Sequence, residues 1–173
     1  MKRPIGYFTK IHTVEWYLII ILGLISLIGC EAEKGGRILI EKKLREIKVG
    51  SVVKLSDLIN EQVNVVCVLP PYRDKVIDRY PENEIINNYL ESIKYQANEG
   101  YWLLLLLTSN STKHYTFKRS KSLDIGGHFL EKSKIVGLPV NFEIAECASF
   151  NEAAFFKTST IGDRNYMMFG RIK

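Results

Sequence analysis

Residues 101–108 read Tyr-Trp-Leu-Leu-Leu-Leu-Leu-Thr. The run is apolar at odd and even positions alike, so it cannot show one face to water and the other to a core. Gly100 precedes it and Ser109-Asn110-Ser111 follows, which leaves a strand's length rather than a helix's. A strand apolar on both faces belongs at the centre of a sheet and needs cover above and below. Residues 113–120, Lys-His-Tyr-Thr-Phe-Lys-Arg-Ser, instead alternate. Tyr115 and Phe117 are expected to face the core, with His114, Thr116 and Lys118 outward. The two runs form a hairpin through Ser109–Thr112.

The rest of the fold is built outward from that hairpin. Val63–Leu69 is β-branched and apolar and stops at Pro70-Pro71, which cannot extend a ladder. Pro81–Ala97 is the principal helix. Pro81 and the acidic Glu82 and Glu84 suit its first turn, Ile86, Tyr89, Leu90, Ile93 and Ala97 form one stripe, and Gly100 ends it. Val140–Ala145 alternates and leads to Cys147. Ala153–Thr158 and Asn165–Ile172 form a last pair of strands around Gly162-Asp163. Residues 38–53 mix helical spacing (Ile40, Leu44, Ile47) with strand formers (Val49, Val52, Val53), and Ser56 reads as the cap of a short turn. The expectation is a single α+β domain, 38–173, with a mostly antiparallel sheet of five to six strands and one principal helix.

The N-terminal stretch is of another kind. Lys2, Arg3 and Lys10 precede an apolar run, Trp16–Ile28, which closes on Gly29-Cys30 and a polar Glu31–Arg37. A basic start, an apolar centre and a small residue at the cut describe a secretory signal, here residues 1–29. A bilayer-spanning helix needs about 20 apolar residues, more than this run supplies. Leu27-Ile28-Gly29-Cys30 resembles the lipobox of bacterial lipoproteins. That resemblance implies cleavage before Cys30, acylation of its thiol, and a tether over 30–37. Members retained at the inner membrane tend to carry Asp after the cysteine. Glu31 stands there, which implies a lipid-anchored protein of the outer membrane facing the periplasm. Val66–Tyr72, VCVLPPY, is similar to small enterobacterial envelope lipoproteins in which a strand cysteine is followed closely by Pro-Tyr. Some of these are suspected immunity proteins against periplasmic toxins.

Composition fits such an address without naming an activity. The formal charge is +5, and removal of residues 1–29 takes away three cations and Glu15. The mild excess that remains is not clustered as a nucleic-acid face requires. With Cys30 acylated, two of the three cysteines are left. An oxidising compartment favours a Cys67–Cys147 disulfide over two buried thiols. Neither cysteine has a second ligand at metal spacing, and His114 and His128 lack a third, so neither a metal nor a cofactor is expected. Asp124, His128 and Ser120 or Ser122 make a triad only on paper, because nothing holds a base against a nucleophile. The chain is therefore read as a protein-binding lipoprotein and not an enzyme, with an immunity protein as the leading instance and an envelope assembly accessory as the alternative. The residues singled out for a partner are Tyr72 and Arg73 in the proline turn, and Lys113, Tyr115, Lys118 and Arg119 along the basic edge. Tyr and Arg are the side chains enriched at binding hot spots. The competing reading of the edge is a lysine-protected strand.

Overall fold

The computed structural model describes residues 35–77, 79–126, 135–158 and 164–173. The expected leader, Cys30, His128 and Gly162-Asp163 lie outside these residues. The chain divides into two units, Met1–Ile38 and Leu39–Lys173. The described part of the first, residues 35–38, is helical, so residues 35–37, expected in a tether, already belong to a helix. The second unit is an α+β domain. Its elements are helix α1 (39–46 within this unit), β1 (Val52–Lys54), α2 (Leu55–Leu58), β2 (Val65–Leu69), α3 (Asn83–Ser92), β3 (Tyr101–Leu107), β4 (Thr112–Lys118), β5 (Asp124–Gly126), β6 (Phe142–Ile144), β7 (Cys147–Ser149), β8 (Ala153–Lys157) and β9 (Tyr166–Ile172).

The strands form two sheets instead of the single one of five or six expected. One runs β4-β3-β2-β7, antiparallel throughout. The other runs β1-β8-β9-β5, with β6 also on β9. Its β5–β9 pair is parallel. The sheets pack face to face. Val66, Val68, Trp102, Leu104, Leu106 and Phe117 from the first meet Phe155, Met167, Phe169 and Ile125 from the second. Trp102 stacks on Phe117 at 4.4 Å between ring centroids and meets Phe155 edge-on at 6.4 Å. The opposite side chains of β2 and β3, including Val65, Leu69, Leu103 and Leu105, lie under Ile86 and Leu90 of α3. The leucine run is thus covered on both faces, as its composition required.

Helix α3 is shorter than its apolar stripe suggests. It ends at Ser92, and Lys94 adopts φ +51°. Lys94 N–H bonds the Glu91 carbonyl and Tyr95 N–H the Leu90 carbonyl, both at 2.9 Å. This is the Schellman pattern, with a lysine where glycine is usual and Tyr95 as its apolar contact. Gly100 therefore has no part in ending the helix. Ser56 does not cap α2 either; its N-cap is Lys54, without a side-chain bond. The far end of α2 is capped instead by Lys43, whose Nζ reaches the Leu58 carbonyl at 2.9 Å. Buried Lys157 caps α1 in the same way, at 2.9 Å from the Arg45 carbonyl. Burial chiefly, and the nearby Arg45 cation, push the Lys157 amine below its usual pKa.

Cys67 and Cys147 form a disulfide across β2 and β7, where they stand directly opposite. Val68 N–H bonds the Glu146 carbonyl at 2.8 Å, which makes the cysteines the non-hydrogen-bonded pair, the closer of the two kinds. The sequence separation is 80 residues. Loops of that order stabilise by about 4 kcal/mol in the chain-entropy account. We expect Cys67→Ser with Cys147→Ser to lower stability by about 2–4 kcal/mol in denaturant titration, and to abolish the mobility shift that reduction gives the wild-type chain on a gel. An unchanged shift in the double variant would contradict the pairing.

Candidate protein-binding surface

The turn after β2 begins with two buried prolines and then exposes Tyr72, which is 70% accessible. Arg73 N–H bonds the Pro70 carbonyl at 3.3 Å, and Tyr72 sits at φ +66°. Proline in the second place and a positive φ in the third is the type II pattern, which prefers glycine where Tyr72 stands. Holding a tyrosine there costs about 1–2 kcal/mol. Two carboxylates hold the turn. Tyr72 donates its phenol to Glu99 Oε2 at 2.9 Å. Underneath, Glu146 accepts from Ile77 N–H at 2.8 Å and lies 3.4 Å from Arg73 Nη1. The bond to Glu99, with some desolvation, raises the Tyr72 phenol pKa, and Arg119 opposes this from nearby. The exposed ring is thus anchored at its tip and constrained at its backbone.

Arg119 joins this turn to the second sheet. Its Nη1 donates to the Glu99 carbonyl at 2.9 Å, beside the carboxylate that holds Tyr72. Its Nε and Nη2 form a fork on both oxygens of Asp124, at 2.7 and 2.9 Å. Asp124 is fully buried; it also accepts from Arg164 Nη1 at 3.0 Å and from Ile125 N–H at 2.9 Å. Two guanidiniums on one buried carboxylate satisfy the condition under which such a charge is tolerated away from water. The fork to Asp124 raises the Arg119 pKa further above its usual value.

The six expected partner residues therefore separate. Tyr72, Arg73 and Arg119 come together around Glu99 and Glu146. Lys118 is exposed beside them, opposite the partly exposed Tyr101. Lys113 lies five positions along β4 and pairs with Glu61 at 2.7 Å. Tyr115 does not belong to a partner surface at all. It is 5% exposed and packs in the core between the sheets, as its alternation with Phe117 had implied. His114 is also not free on an outer face; its Nδ1 meets the Tyr89 hydroxyl of α3 at 2.7 Å. The serines of the paper triad take Arg45, at 3.2 Å to Ser120 and 2.5 Å to Ser122, while Asp124 faces the arginines. No group of three or more metal-binding side chains occurs among the described residues.

Sequence reasoning missed Glu99 and Glu146 and read Asp124 only as a member of the triad on paper. Glu99 and Glu146 lie between elements and Asp124 begins the short β5, with no spacing to mark them. A second cluster was missed for the same reason. Gly170 of β9 lets β6 approach so closely that a Cβ there would meet the Glu143 carbonyl. That approach sets Glu143 opposite Arg171, 2.8 Å away, with Lys173 at 2.7 Å. These partners, Arg171 first, hold the Glu143 carboxyl down to about 2. Glu143 and Arg171, with Arg79, Tyr80 and Cys147, line a groove of about 250 Å³.

Arg119→Met should cost about 3 kcal/mol, because it withdraws the forked partner from a buried charge; a melting curve like wild type would show that Arg164 suffices. The Glu143 pair has a sign that can be worked out. Its folded pKa of about 2 lies below the ordinary 4.5, so its contribution is present above pH 4.5 and is lost as pH falls toward 2. We expect the melting temperature of Glu143→Gln to converge on that of wild type across this window, and a constant offset down to pH 2 would refute the pairing.

Compared with protein-family models, with curated proteins and with solved structures, the chain finds no match.

Proposed function

We propose that this chain is a lipid-anchored envelope protein that acts by binding another protein, with an immunity protein against a periplasmic toxin as the leading instance. The observation that carries the reading is Tyr72. A large aromatic ring 70% exposed at φ +66°, held by a carboxylate and set beside an arginine, is an expensive arrangement for a loop with no task. Backbone strain of this kind is retained where surroundings over-determine it, and it concentrates at binding and catalytic sites. A rigid tyrosine binds with little further loss of freedom, which is why such rings recur as interface anchors. The buried Cys67–Cys147 disulfide supports an oxidising compartment, and so agrees with the address read from Leu27–Cys30.

The decisive variant is Tyr72→Gly. Glycine suits the turn, so stability should rise by about 1 kcal/mol, while a partner captured by wild type from envelope extracts should be lost. Improved stability with undiminished capture would remove Tyr72 from the interface and this reading with it. Cys30→Ala tests the anchor separately; it should abolish palmitate labelling and leave an unprocessed precursor, and normal processing would contradict the lipobox.

A further inference from the structure

Five strands have a neighbour on one side only among the described residues: β1, β4, β5, β6 and β7. Four of them are three residues long, but β4 has seven. Proteins commonly keep open edges short, because an unpaired edge is a template for another strand. β4 departs from that practice. Its hydrogen-bond phase is fixed by Arg119 N–H on the Gly100 carbonyl and Thr108 N–H on the Ser111 carbonyl, both at 2.9 Å. The odd-numbered residues thus bond β3. The N–H and C=O groups of Thr112, His114, Thr116 and Lys118 point the other way. From Ser111 to Leu123 the chain carries Lys113, Lys118, Arg119 and Lys121 and no Asp or Glu. Asp124 absorbs the charge of Arg119 and Glu61 pairs with Lys113, but Lys113 remains 44% exposed and Lys118 is exposed.

We infer that β4 is a docking edge that accepts an extended acidic segment of a partner protein as an added strand. Main-chain bonds to the four outward residues supply the affinity, and the lysines select acidic side chains. A second copy of this chain is a poor occupant, because edge-to-edge pairing would bring two basic strands together, and like charges across a ladder repel. This inference rests on the protein-binding reading above and names a surface and a partner chemistry for it. It requires the backbone of 112–118 and not Tyr72, so the two can fail separately.

The test uses the full chain in detergent and two capped peptides, one alternating glutamate with valine and one alternating lysine with valine. The glutamate peptide should bind and slow hydrogen exchange at the amides of Thr112, His114, Thr116 and Lys118, and the lysine peptide should not. Thr116→Pro removes an outward N–H that β3 does not use, a place where an edge tolerates proline. Lys118→Glu reverses an exposed charge. Each should weaken the glutamate peptide roughly tenfold. If Thr116→Pro melts early, Lys118→Glu and the exchange pattern decide. Equal binding of both peptides, unchanged exchange, or protection that grows with protein concentration without any peptide would overturn the proposal.

Discussion

The structure depends on burying both faces of one neighbouring strand pair. β2 and β3 present apolar side chains up and down, and β3 alone places Trp102 and five leucines out of water. Each such side chain contributes about 1.5–3 kcal/mol when buried, and the share of either face is lost if that face stays wet. One layer therefore cannot suffice. The second sheet covers one face with Phe155, Phe169 and Met167, and α3 covers the other with Ile86 and Leu90. The brevity of β1, β5 and β6 fits this arrangement, since they extend a cover and do not form its centre.

Layering creates problems that the polar side chains solve. At two of the places where the chain leaves one sheet for the other, 119–124 and 145–147, charge must be accommodated beside the core. At the first crossing Arg119 and Arg164 neutralise Asp124. At the second, buried Glu146 ties Arg73 and Ile77 to the start of β7, next to the disulfide. The two crossings also fix the loops that carry Tyr72 and Glu99. The rigidity of the candidate surface is thus a consequence of how the sheets are joined.

Much of the local structure was legible in the sequence. The double-faced strand, the hairpin after it, the break at Pro70-Pro71 and the final strand pair follow from apolar period and turn chemistry. The Cys67–Cys147 disulfide is the pairing expected from the sequence. The site was less legible. Tyr72 and Arg119 stand out by residue type alone, and both bond Glu99. Tyr115 sits between lysines, but its own alternation places it inward. The period along one strand is a stronger constraint than the character of its neighbours, because it fixes a side chain's direction.

The sequence by itself determined the longer strands β2, β3, β4, β8 and β9, which of their faces are apolar, and that β3 must lie inside, but it did not mark the three-residue β5 and β7. Only the tertiary structure decided that the strands divide into two sheets, that β5 runs parallel to β9, and that Glu99, Asp124 and Glu146 gather Tyr72, Arg73 and Arg119. The reason is physical. Burial preference and backbone propensity act between neighbours a few residues apart and leave a periodic trace. Strand partners and ion pairs form between residues as distant as Arg73 and Glu146, or Asp124 and Arg164, and a single carboxylate in a loop has no period to betray which cation it will meet.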